Sequence, residues 1–346
     1  MNKQYTHLEK FTPLQYLAFA LATAACVVLC VCLGSVSIAP GTVFSAIAKS
    51  MLGQPVPNGV AGSIIVSVRL PRVLCVALVG AALSLCGGAM QGLLRNPLAD
   101  GSTLGVSSGA SLGAVVGIAF GIAVPGLPLA GTMGMAILFA FASLLIILAL
   151  AYRLDYSLAT NTIILIGVIF SMFANSILSF IITFSGEKLR SITFWTMGSL
   201  AQSSYQNALV LLAALLVFGG ILLRYTRELN AFAIGEDNAR HVGVSVKKVK
   251  LVVMVSVSCL IGVCVAIGGS IGFVGLVMPH MARMAAGPNH RRLLPASLFG
   301  GAVFLMLADL AARSLLRPLE LPIGVVTSFI GSIVFVLIFY RARRAK

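Results

Sequence analysis

The chain has 346 residues, of which 59% are hydrophobic and only 10% are charged, and its mean hydropathy is +1.04. An average soluble domain is about 25% charged, so this composition excludes a water-soluble globular protein and predicts an integral membrane protein. The formal net charge of +15 does not indicate a nucleic-acid-binding protein, because the basic residues lie at the ends of apolar runs and form no single patch.

Long charge-free intervals separate short polar segments along the whole chain. The longest lies between Asp100 and Arg153 and contains 52 residues, with the sequence PGLP at 125–128 near its middle. A helix needs about 20 apolar residues to cross a bilayer, so this interval predicts two helices joined at the proline turn. The same criterion predicts an all-α polytopic membrane protein with about ten transmembrane helices. The predicted spans are 14–33, 72–94, 103–124, 131–152, 158–184, 205–223, 251–267, 271–286, 293–312 and 322–340.

Two segments outside these spans also carry structural predictions. Residues 34–68, which are rich in Gly and Pro, are predicted to form a long loop. Residues 187–195 are predicted to form a short interfacial helix, which places Trp195 at the membrane surface, where tryptophan is enriched.

The distribution of basic residues predicts the orientation in the membrane. Ten spans place both termini on the same side. With the termini in the cytoplasm, 17 of the 24 Lys and Arg residues lie in inner segments and 7 in outer segments, as the positive-inside rule expects. Nine or eleven spans would place the basic C-terminal end outside. We therefore predict a single transmembrane domain over 1–346 with both termini cytoplasmic.

Glycine recurs every fourth residue along the third predicted span. These small residues are predicted to let a neighbouring helix approach closely, which is how helices associate in lipid. The stripe consists of Gly105, Gly109, Gly113, Gly117 and Gly121. A second cluster flanks the short eighth span, where breaks in a helix are tolerated only if the backbone is buried or lines a cavity. That cluster consists of Gly268, Gly269, Gly272 and Gly275.

The sequence lacks the signatures of an enzyme or of a metal site. It contains no G-x-x-x-x-G-K-[ST] phosphate loop, so no ATP-hydrolysing site and no catalytic residues are predicted. Its seven cysteines lie in apolar runs without His or acidic neighbours at metal-ligand spacing. We expect thiols that face the core or the lipid, and neither a metal nor a cofactor.

Asp309 is the only acidic residue well inside a predicted span. A charged side chain at the centre of a transmembrane helix costs about 2.5–3.5 kcal/mol. Arg313 follows four residues later, so an i,i+4 ion pair is predicted to offset that cost. A direct role of Asp309 in transport is the alternative.

Several motifs, in order along the chain, together resemble those of one family. They are RLPR at 69–72, GAMQG at 88–92, RNPLAD at 95–100, LGVSSGA at 104–110, GFVGLVMPHMAR at 272–283, HRRLLP at 290–295 and ELPIGVVT at 320–327. From about residue 60 to 340 the chain resembles FecCD-family permeases, the membrane subunits of type II ABC importers for ferric siderophores, haem and cobalamin.

The resemblance implies the fold, the partners and the location. It implies a ten-helix subunit that pairs with a second copy or a paralogue in the lipid bilayer of the bacterial inner membrane. Two ATP-binding cassette ATPase subunits would bind on the inside, and an extracytoplasmic solute-binding protein would dock outside. No nucleic-acid partner is implied.

The polar segment 224–250 corresponds to the family's cytoplasmic coupling loop, which consists of two short helices that bind the ATPase. Its centre has acidic residues first, basic residues later and a glycine at each end, as in a short capped helix. A solvated loop without a partner is the alternative. The residues implied to couple to the ATPase are Gly235, Glu236, Asp237, Asn238, Ala239, Arg240, His241 and Gly243.

Three arginines in outer segments, Arg69, Arg72 and Arg313, match family arginines that pair with glutamates of the binding protein. Arginine suits such contacts because its guanidinium group binds carboxylates through two hydrogen bonds. Anchoring to lipid headgroups is the alternative.

The predicted function is that of a permease subunit which moves an iron chelate, either a ferric siderophore or haem, by ATP-driven alternating access. Cobalamin is the alternative substrate, and a stand-alone secondary carrier or channel is the alternative of another class. We expect a mostly apolar path near the dimer axis, lined by spans five, eight and ten. Its candidate residues are Asn161, Met172, Asn175, Met278 and Ser328.

Overall fold

The structure, a computed structural model, describes residues 10–34, 39–52, 59–125, 130–316 and 318–344. Its architecture in these ranges is helical. The helices are α1 (Pro13–Cys32), α2 (Pro40–Met51), α3 (Leu70–Leu93), α4 (Val106–Ala119), α5 (Ala130–Leu154), α6 (Thr160–Phe184), α7 (Leu189–Thr196), α8 (Tyr205–Arg224), α9 (Thr226–Ala233), α10 (Glu236–His241), α11 (Val246–Gly268), α12 (Val274–Ala286), α13 (His290–Ser314) and α14 (Ile323–Arg344). A short helical segment (Gly59–Ile64) and a π-helical segment (Ile65–Arg69) lead directly into α3.

Ten segments of the described chain account for the predicted spans. Seven are long and apolar enough to cross a membrane, namely α1, Gly62–Leu93, α5, α6, α8, α11 and α13. Two shorter apolar helices are α4 and the stretch Ile323–Leu337 of α14. The eighth predicted span is α12, which has 13 residues and is therefore about 20 Å long. The predicted all-α polytopic fold is confirmed.

The first span shows how local sequence fixes a helix boundary. Thr12 caps α1 by accepting a hydrogen bond from the backbone N–H of Gln15, whose side chain accepts one from the Thr12 N–H. This reciprocal pair satisfies two N–H groups that a helix start leaves unpaired. Pro13 follows at the first helical position, where its missing N–H costs nothing.

α3 lies at the centre of the bundle and is mostly buried. It packs against α13, α12 and α11. A Cβ atom at Gly80 would overlap the carbonyl group of Gly301 in α13, and one at Gly87 would overlap the carbonyl group of Gly275 in α12. The backbones of α3 and these two helices are therefore in direct contact, which small residues permit in lipid.

The glycine stripe of α4 packs against α5; close packing was predicted, but the neighbouring helix was not. A Cβ at Gly109 would meet the Ser143 side chain, and one at Gly113 would overlap the Met135 carbonyl group. Gly105, at the start of α4, instead lies beside α6, where a Cβ would be 2.9 Å from the Gly167 carbonyl oxygen. The stripe thus joins three consecutive spans.

The prediction of a long loop over 34–68 was wrong. α2 and the helical segment from Gly59 to Arg69 lie in this region, whereas residues 35–38 and 53–58 lie outside the described ranges. α2 has only 12 residues and buries Val43 and Ala46 on one face, so it is amphipathic and too short for a span criterion. Pro40 does not break it, because it stands in the first turn.

A short helix, α7, lies where the interfacial helix was predicted, after a 3₁₀ turn at Gly186–Lys188; its position at the membrane surface stays a prediction. Trp195 in α7 is partly buried against the hydrophobic core. A Cβ atom at Gly269, just beyond the end of α11, would overlap the Trp195 carbonyl oxygen. α7 therefore packs closely onto the break between α11 and α12.

Candidate functional site

The polar segment after α8 forms two short helices, α9 and α10, as the resemblance implies. Gly235 precedes α10 with a φ angle of 114°, and Gly243 follows it with a φ angle of 85°. Residues with a Cβ rarely adopt these positive angles. The two glycines therefore permit the turns that begin and end α10.

The predicted coupling residues divide between two faces of α10. Ala239 is buried and Glu236 points into the chain. The exposed residues are Asp237, Asn238, Arg240 and His241. The Asp237 side chain is 87% exposed and is paired with Arg240 at 3.1 Å. Only this exposed face is available to a partner at the cytoplasmic surface.

Glu236 is held by a lysine that the sequence analysis did not single out. Lys250, in the second turn of α11, has a fully buried side chain. Its Nζ atom lies 2.7 Å from Oε1 and 2.8 Å from Oε2 of Glu236, and it donates a hydrogen bond to the Leu158 carbonyl oxygen at 2.8 Å. Thr160 Oγ1, at the start of α6, donates to Glu236 Oε1 at 3.0 Å. One ion pair therefore joins α10, α11 and the beginning of α6.

The turn before α6 is organised by Asp155. Its Oδ1 accepts hydrogen bonds from the N–H and Oγ of Ser157, and its Oδ2 accepts one from the Ala159 N–H. These bonds favour the ionised carboxylate, so they lower the pKa of Asp155 below its usual value. Leu158, within this turn, has a φ angle of 54°, which directs its carbonyl oxygen into the contact with Lys250.

α9 is attached to the start of α13 by amide groups. Asn230 Nδ2 donates to Asn289 Oδ1 at 2.8 Å, and Asn230 Oδ1 accepts from the His290 backbone N–H at 2.8 Å. Asn289 also caps α13, because its Oδ1 accepts from the Arg291 N–H. The two short cytoplasmic helices are thus bound to different spans, α9 to α13 and α10 to α6 and α11.

At the outer end of α13, Asp309 contacts two of the three predicted docking arginines. Its Oδ1 accepts hydrogen bonds from Arg72 Nε at 3.0 Å and Nη2 at 2.9 Å. Its Oδ2 lies 2.9 Å from Arg313 Nε, an ionic contact without hydrogen-bond alignment. Arg72 Nη1 donates to Glu320 at 2.7 Å. The predicted i,i+4 pair is confirmed, and Arg72 is a partner that spacing did not reveal.

The other guanidinium contacts tie the same region to the end of α1. Arg69 Nη1 donates to the Val31 carbonyl oxygen at 2.9 Å, and Arg313 Nη2 donates to that of Cys30 at 2.9 Å. Cationic groups at a helix C-terminus satisfy its unpaired carbonyl groups and favour its dipole. The arginines therefore hold α1 against α3 and α13.

The three predicted docking arginines are buried. Arg69, Arg72 and Arg313 are only 5%, 7% and 4% exposed. This burial disagrees with the alternative in which they extend to lipid headgroups. Docking stays a prediction, and it requires the side chains to exchange their present partners for those of another protein.

A cavity of about 350 Å³ lies between α3, α11, α12 and α14. It adjoins the glycine break, whose backbone was predicted either to be buried or to line a cavity, and where Gly269 and Phe273 have φ angles of 69° and 67°. Asp100 is the charged residue among the described residues that line it. The rest of its wall is mainly apolar, including Leu83, Val265 and Leu276, and its polar residues include Ser270 and Ser328.

The five predicted path residues are not brought together within one chain. Ser328 lines the cavity, whereas the Met278 side chain points towards Gly300 of α13. Met172 and Asn175 are exposed on α6. Asn161 lies at the cytoplasmic end of α6, in a cleft beside α10. A common path through all five stays a prediction, and it would need a partner subunit to complete it.

Lys250, Asn230 and Glu320 are among the residues with specific contacts that sequence reasoning missed. Lys250 begins an apolar run, where a lysine usually marks the membrane surface. Asn230 lies in an amphipathic segment without a recognisable motif. Glu320 lies in the motif ELPIGVVT, but 248 positions separate it from Arg72, so no sequence spacing relates the two residues. None of the three pairings is local enough for a sequence signal.

The bundle has about ten spans and encloses a cavity beside a break in the helices. It also carries a pair of polar helices on its cytoplasmic side. This is the architecture of a membrane transport protein. A sequence profile of the FecCD transport family matches residues 22–341. The chain belongs to this family, and is a permease of a type II ABC importer and a multi-pass protein of the inner membrane.

Individual relatives match over most of the chain. The hemin transport system permease protein HmuU of Yersinia pestis is 37% identical and covers 81% of this chain and 84% of its own length. The vitamin B12 import system permease protein BtuC of Citrobacter koseri is 38% identical, with 92% and 91% covered. A solved structure described as an inward-facing conformation of a metal-chelate type ABC transporter has a TM-score of 0.83 at 33% identity, with 95% and 100% covered.

Proposed function

We propose that the chain is the permease subunit of an ATP-driven importer that carries an iron chelate, either a ferric siderophore or haem, across the bacterial inner membrane. The observation that supports this substrate class is the similarity to a hemin permease over 81% of the chain and to a metal-chelate type transporter over 95% of it. The lining of the cavity is compatible with a bulky chelate, because an apolar wall binds it weakly and does not strip the metal from its ligands. Cobalamin is the second candidate, because a vitamin B12 permease is similar over 92% of the chain.

The energy source in this proposal is a separate ATPase. The sequence has no phosphate loop, so two ATP-binding cassette subunits would hydrolyse ATP and bind the exposed face of α10. Asp237 and Arg240 give this face charges of both signs, which suit a polar protein interface. Movement of α10 would then alternate access to the path from the two sides of the membrane.

A second permease copy or a paralogue would complete the path. Large apolar side chains are exposed along α6 and α14, including Met172, Phe173 and Phe180 in α6 and Phe329 and Ile333 in α14. A membrane or a second subunit covers such surfaces equally well. Asn175 on the same exposed side of α6 favours a protein partner there, since an amide facing lipid would lack hydrogen-bond partners.

The proposed binding-protein site is the outer arginine cluster. Glutamates on the two lobes of the binding protein would compete with Asp309 and Glu320 for the arginines. Glu320 is the more accessible of the two, since its side chain is 42% exposed whereas that of Asp309 is 2% exposed. Exchange would therefore begin at the Arg72–Glu320 contact.

Reconstitution tests the proposed function. The chain is purified with the ATPase and the binding protein of its importer, placed in liposomes, and supplied with radiolabelled haem, ferrichrome or cyanocobalamin. ATP-dependent uptake of haem or ferrichrome supports the proposal, and uptake of cyanocobalamin alone supports the second candidate. Uptake by the chain without its ATPase, driven by a proton or sodium gradient, would establish the secondary carrier instead.

A further inference from the structure

Lys250 is an unusual residue for its position at the cytoplasmic end of a span. Lysines there normally extend their ammonium groups to the water at the interface. Lys248 is exposed, and Lys247 places its Nζ atom over the rings of Tyr152 and Tyr156 at the surface. The Lys250 side chain is instead 0% exposed.

The contacts of Lys250 compensate its buried charge, but they do not explain why a charged residue occupies this position. Burying an ammonium group costs several kcal/mol, which an ion pair offsets only with good geometry. Two apolar side chains could pack α11 against the turn before α6 without that cost. An ion pair differs from such packing in being directional, because its donors and acceptors fix the relative positions of the groups that they join.

We propose that Lys250 is a positioning residue for energy coupling, which makes α10 move as one body with the start of α6 and with α11. The inference rests on the proposed function. The ammonium group belongs to α11, its two acceptors are Glu236 of α10 and the Leu158 carbonyl group, and Glu236 also binds Thr160 of α6. A force applied to the exposed face of α10 is thereby transmitted to two spans.

α11 then carries this displacement into the membrane. The helix is continuous from Val246 to Gly268, so Val265 lies about 22 Å along the axis from Lys250. Val265 and Gly269 line the central cavity. The ion pair therefore links the surface of α10 to the wall of the cavity through a single helix, without passing through a flexible loop.

The test compares four variants of the chain in the reconstituted complex with its ATPase and binding protein. Lys250→Met removes the charge and keeps the length, and Glu236→Gln neutralises the acceptor. Lys250→Glu with Glu236→Lys restores the ion pair in reverse. Lys248→Met is the matched control, because Lys248 lies two residues before Lys250 in α11 and is exposed.

The first readout is the ratio of substrate uptake to ATP hydrolysis, measured with whichever of the three radiolabelled probes the wild-type complex imports. We expect Lys250→Met to lower this ratio about tenfold, a usual size for the coupling between two sites, while ATP hydrolysis and co-purification of the ATPase persist. Lys248→Met should keep the wild-type ratio, and the reversed pair should recover part of the loss. A wild-type ratio in Lys250→Met would overturn the proposal.

The second readout needs no substrate and separates positioning from mere stabilisation. Spin labels are placed at Val242 and Asn161, beside α10 and in α6, and their distance is measured by electron paramagnetic resonance with and without ATP. In the otherwise wild-type complex this distance should not change, whereas in Glu236→Gln it should change on ATP binding. A distance that changes in the wild-type complex also overturns the proposal. This distance measurement does not depend on import. A complex that imported none of the three probes would therefore disprove the proposed function, while the distance measurement would still test the role of the ion pair.

Discussion

Arg72 Nη2 and Asp309 Oδ1 lie 2.9 Å apart, although 237 positions separate the two residues in the sequence. Both side chains are nearly inaccessible, with 8% and 2% of their surfaces exposed. The pair joins the start of α3 to the outer end of α13, and these helices also touch through Gly80 and Gly301. The outer half of the bundle is thus held by a charged contact as well as by close backbone packing.

Replacing Asp309 by Asn should destabilise the protein markedly. The substitution keeps the shape of the side chain but leaves Arg72 and Arg313 without their shared anion. Removal of one partner from a buried ion pair costs about 3–5 kcal/mol. We expect a lower unfolding midpoint in detergent, measured by thermal unfolding. Glu320→Gln is the control, and its effect should be about 0–1 kcal/mol because Glu320 is substantially exposed. Equal losses in the two variants would contradict this account.

Gly87→Ala should separate α3 from α12. The added methyl group would overlap the Gly275 carbonyl group, and neither backbone can yield without moving its helix. Overpacking of this kind costs about 1–3 kcal/mol. Gly134→Ala in α5 is the matched control, because a Cβ there would meet nothing within 4 Å and should be neutral or stabilise the helix. The unfolding midpoints of the two purified variants check this, and a Gly87→Ala protein as stable as the control would refute it.

The docking role of the arginines predicts a salt-sensitive association. Arg72→Gln combined with Arg313→Gln should weaken binding of the solute-binding protein, and the loss should be larger at low salt, because charges are screened over about 8 Å at physiological ionic strength. Surface plasmon resonance on the folded fraction measures the affinity. Glu→Arg changes on the binding protein should not improve binding to this variant, whereas they should improve binding to Arg72→Glu. Unchanged affinity and salt dependence would leave the arginines with a purely structural role.

The topology predicts opposite accessibility of two positions. In a cysteine-free background, a cysteine at Asn238 should react with a membrane-impermeant thiol reagent only from the cytoplasm, and one at Glu187 only from outside. Both native residues are exposed. Labelling of intact cells and of inverted vesicles provides the measurement. Labelling of both positions from the same side would be incompatible with ten spans.

The turn before α6 should contribute to stability in a pH-dependent manner. The folded structure lowers the pKa of Asp155, so its contribution is fully present above the unfolded value of about 3.9. It is lost as the pH falls through the folded-state pKa, since the proton must then be taken up. Asp155→Ala should therefore be less stable than the wild type at neutral pH, and the difference should shrink below about pH 4. A difference that is constant with pH would exclude this origin.

The sequence predicted the features that depend on local pattern. Charge-free intervals located the spans to within a few residues. They could do so because the thickness of the bilayer sets the minimum length of each apolar helix. The spacing of Asp309 and Arg313 predicted their pair, since four residues bring side chains together on a helix. The glycine stripe of α4 predicted close packing, although it could not identify α5 as the neighbour.

Contacts between distant elements were beyond the reach of sequence patterns. Glu236 and Asp237 are adjacent acids in one short helix, yet the first pairs with buried Lys250 and the second faces the surface. A helix of six residues is too short for its sequence to identify a buried face, so only the packing of the helix decides which acid points inward. Similarly, α2 was missed because its length of 12 residues is below that of a span and its first turn contains proline.

α13 is anchored at its two ends by different chemistry. Its first residues are bound to α9 through Asn230, and its outer end holds Asp309 between two arginines. With 25 residues it is about 38 Å long, and it packs along α3. If binding of a protein outside changes, through this helix, the affinity of α9 for a partner inside, thermodynamic reciprocity requires that the inside partner changes the affinity for the outside protein by the same factor. An empty and a substrate-loaded binding protein outside the cell would then affect the affinity for a partner inside the cell differently.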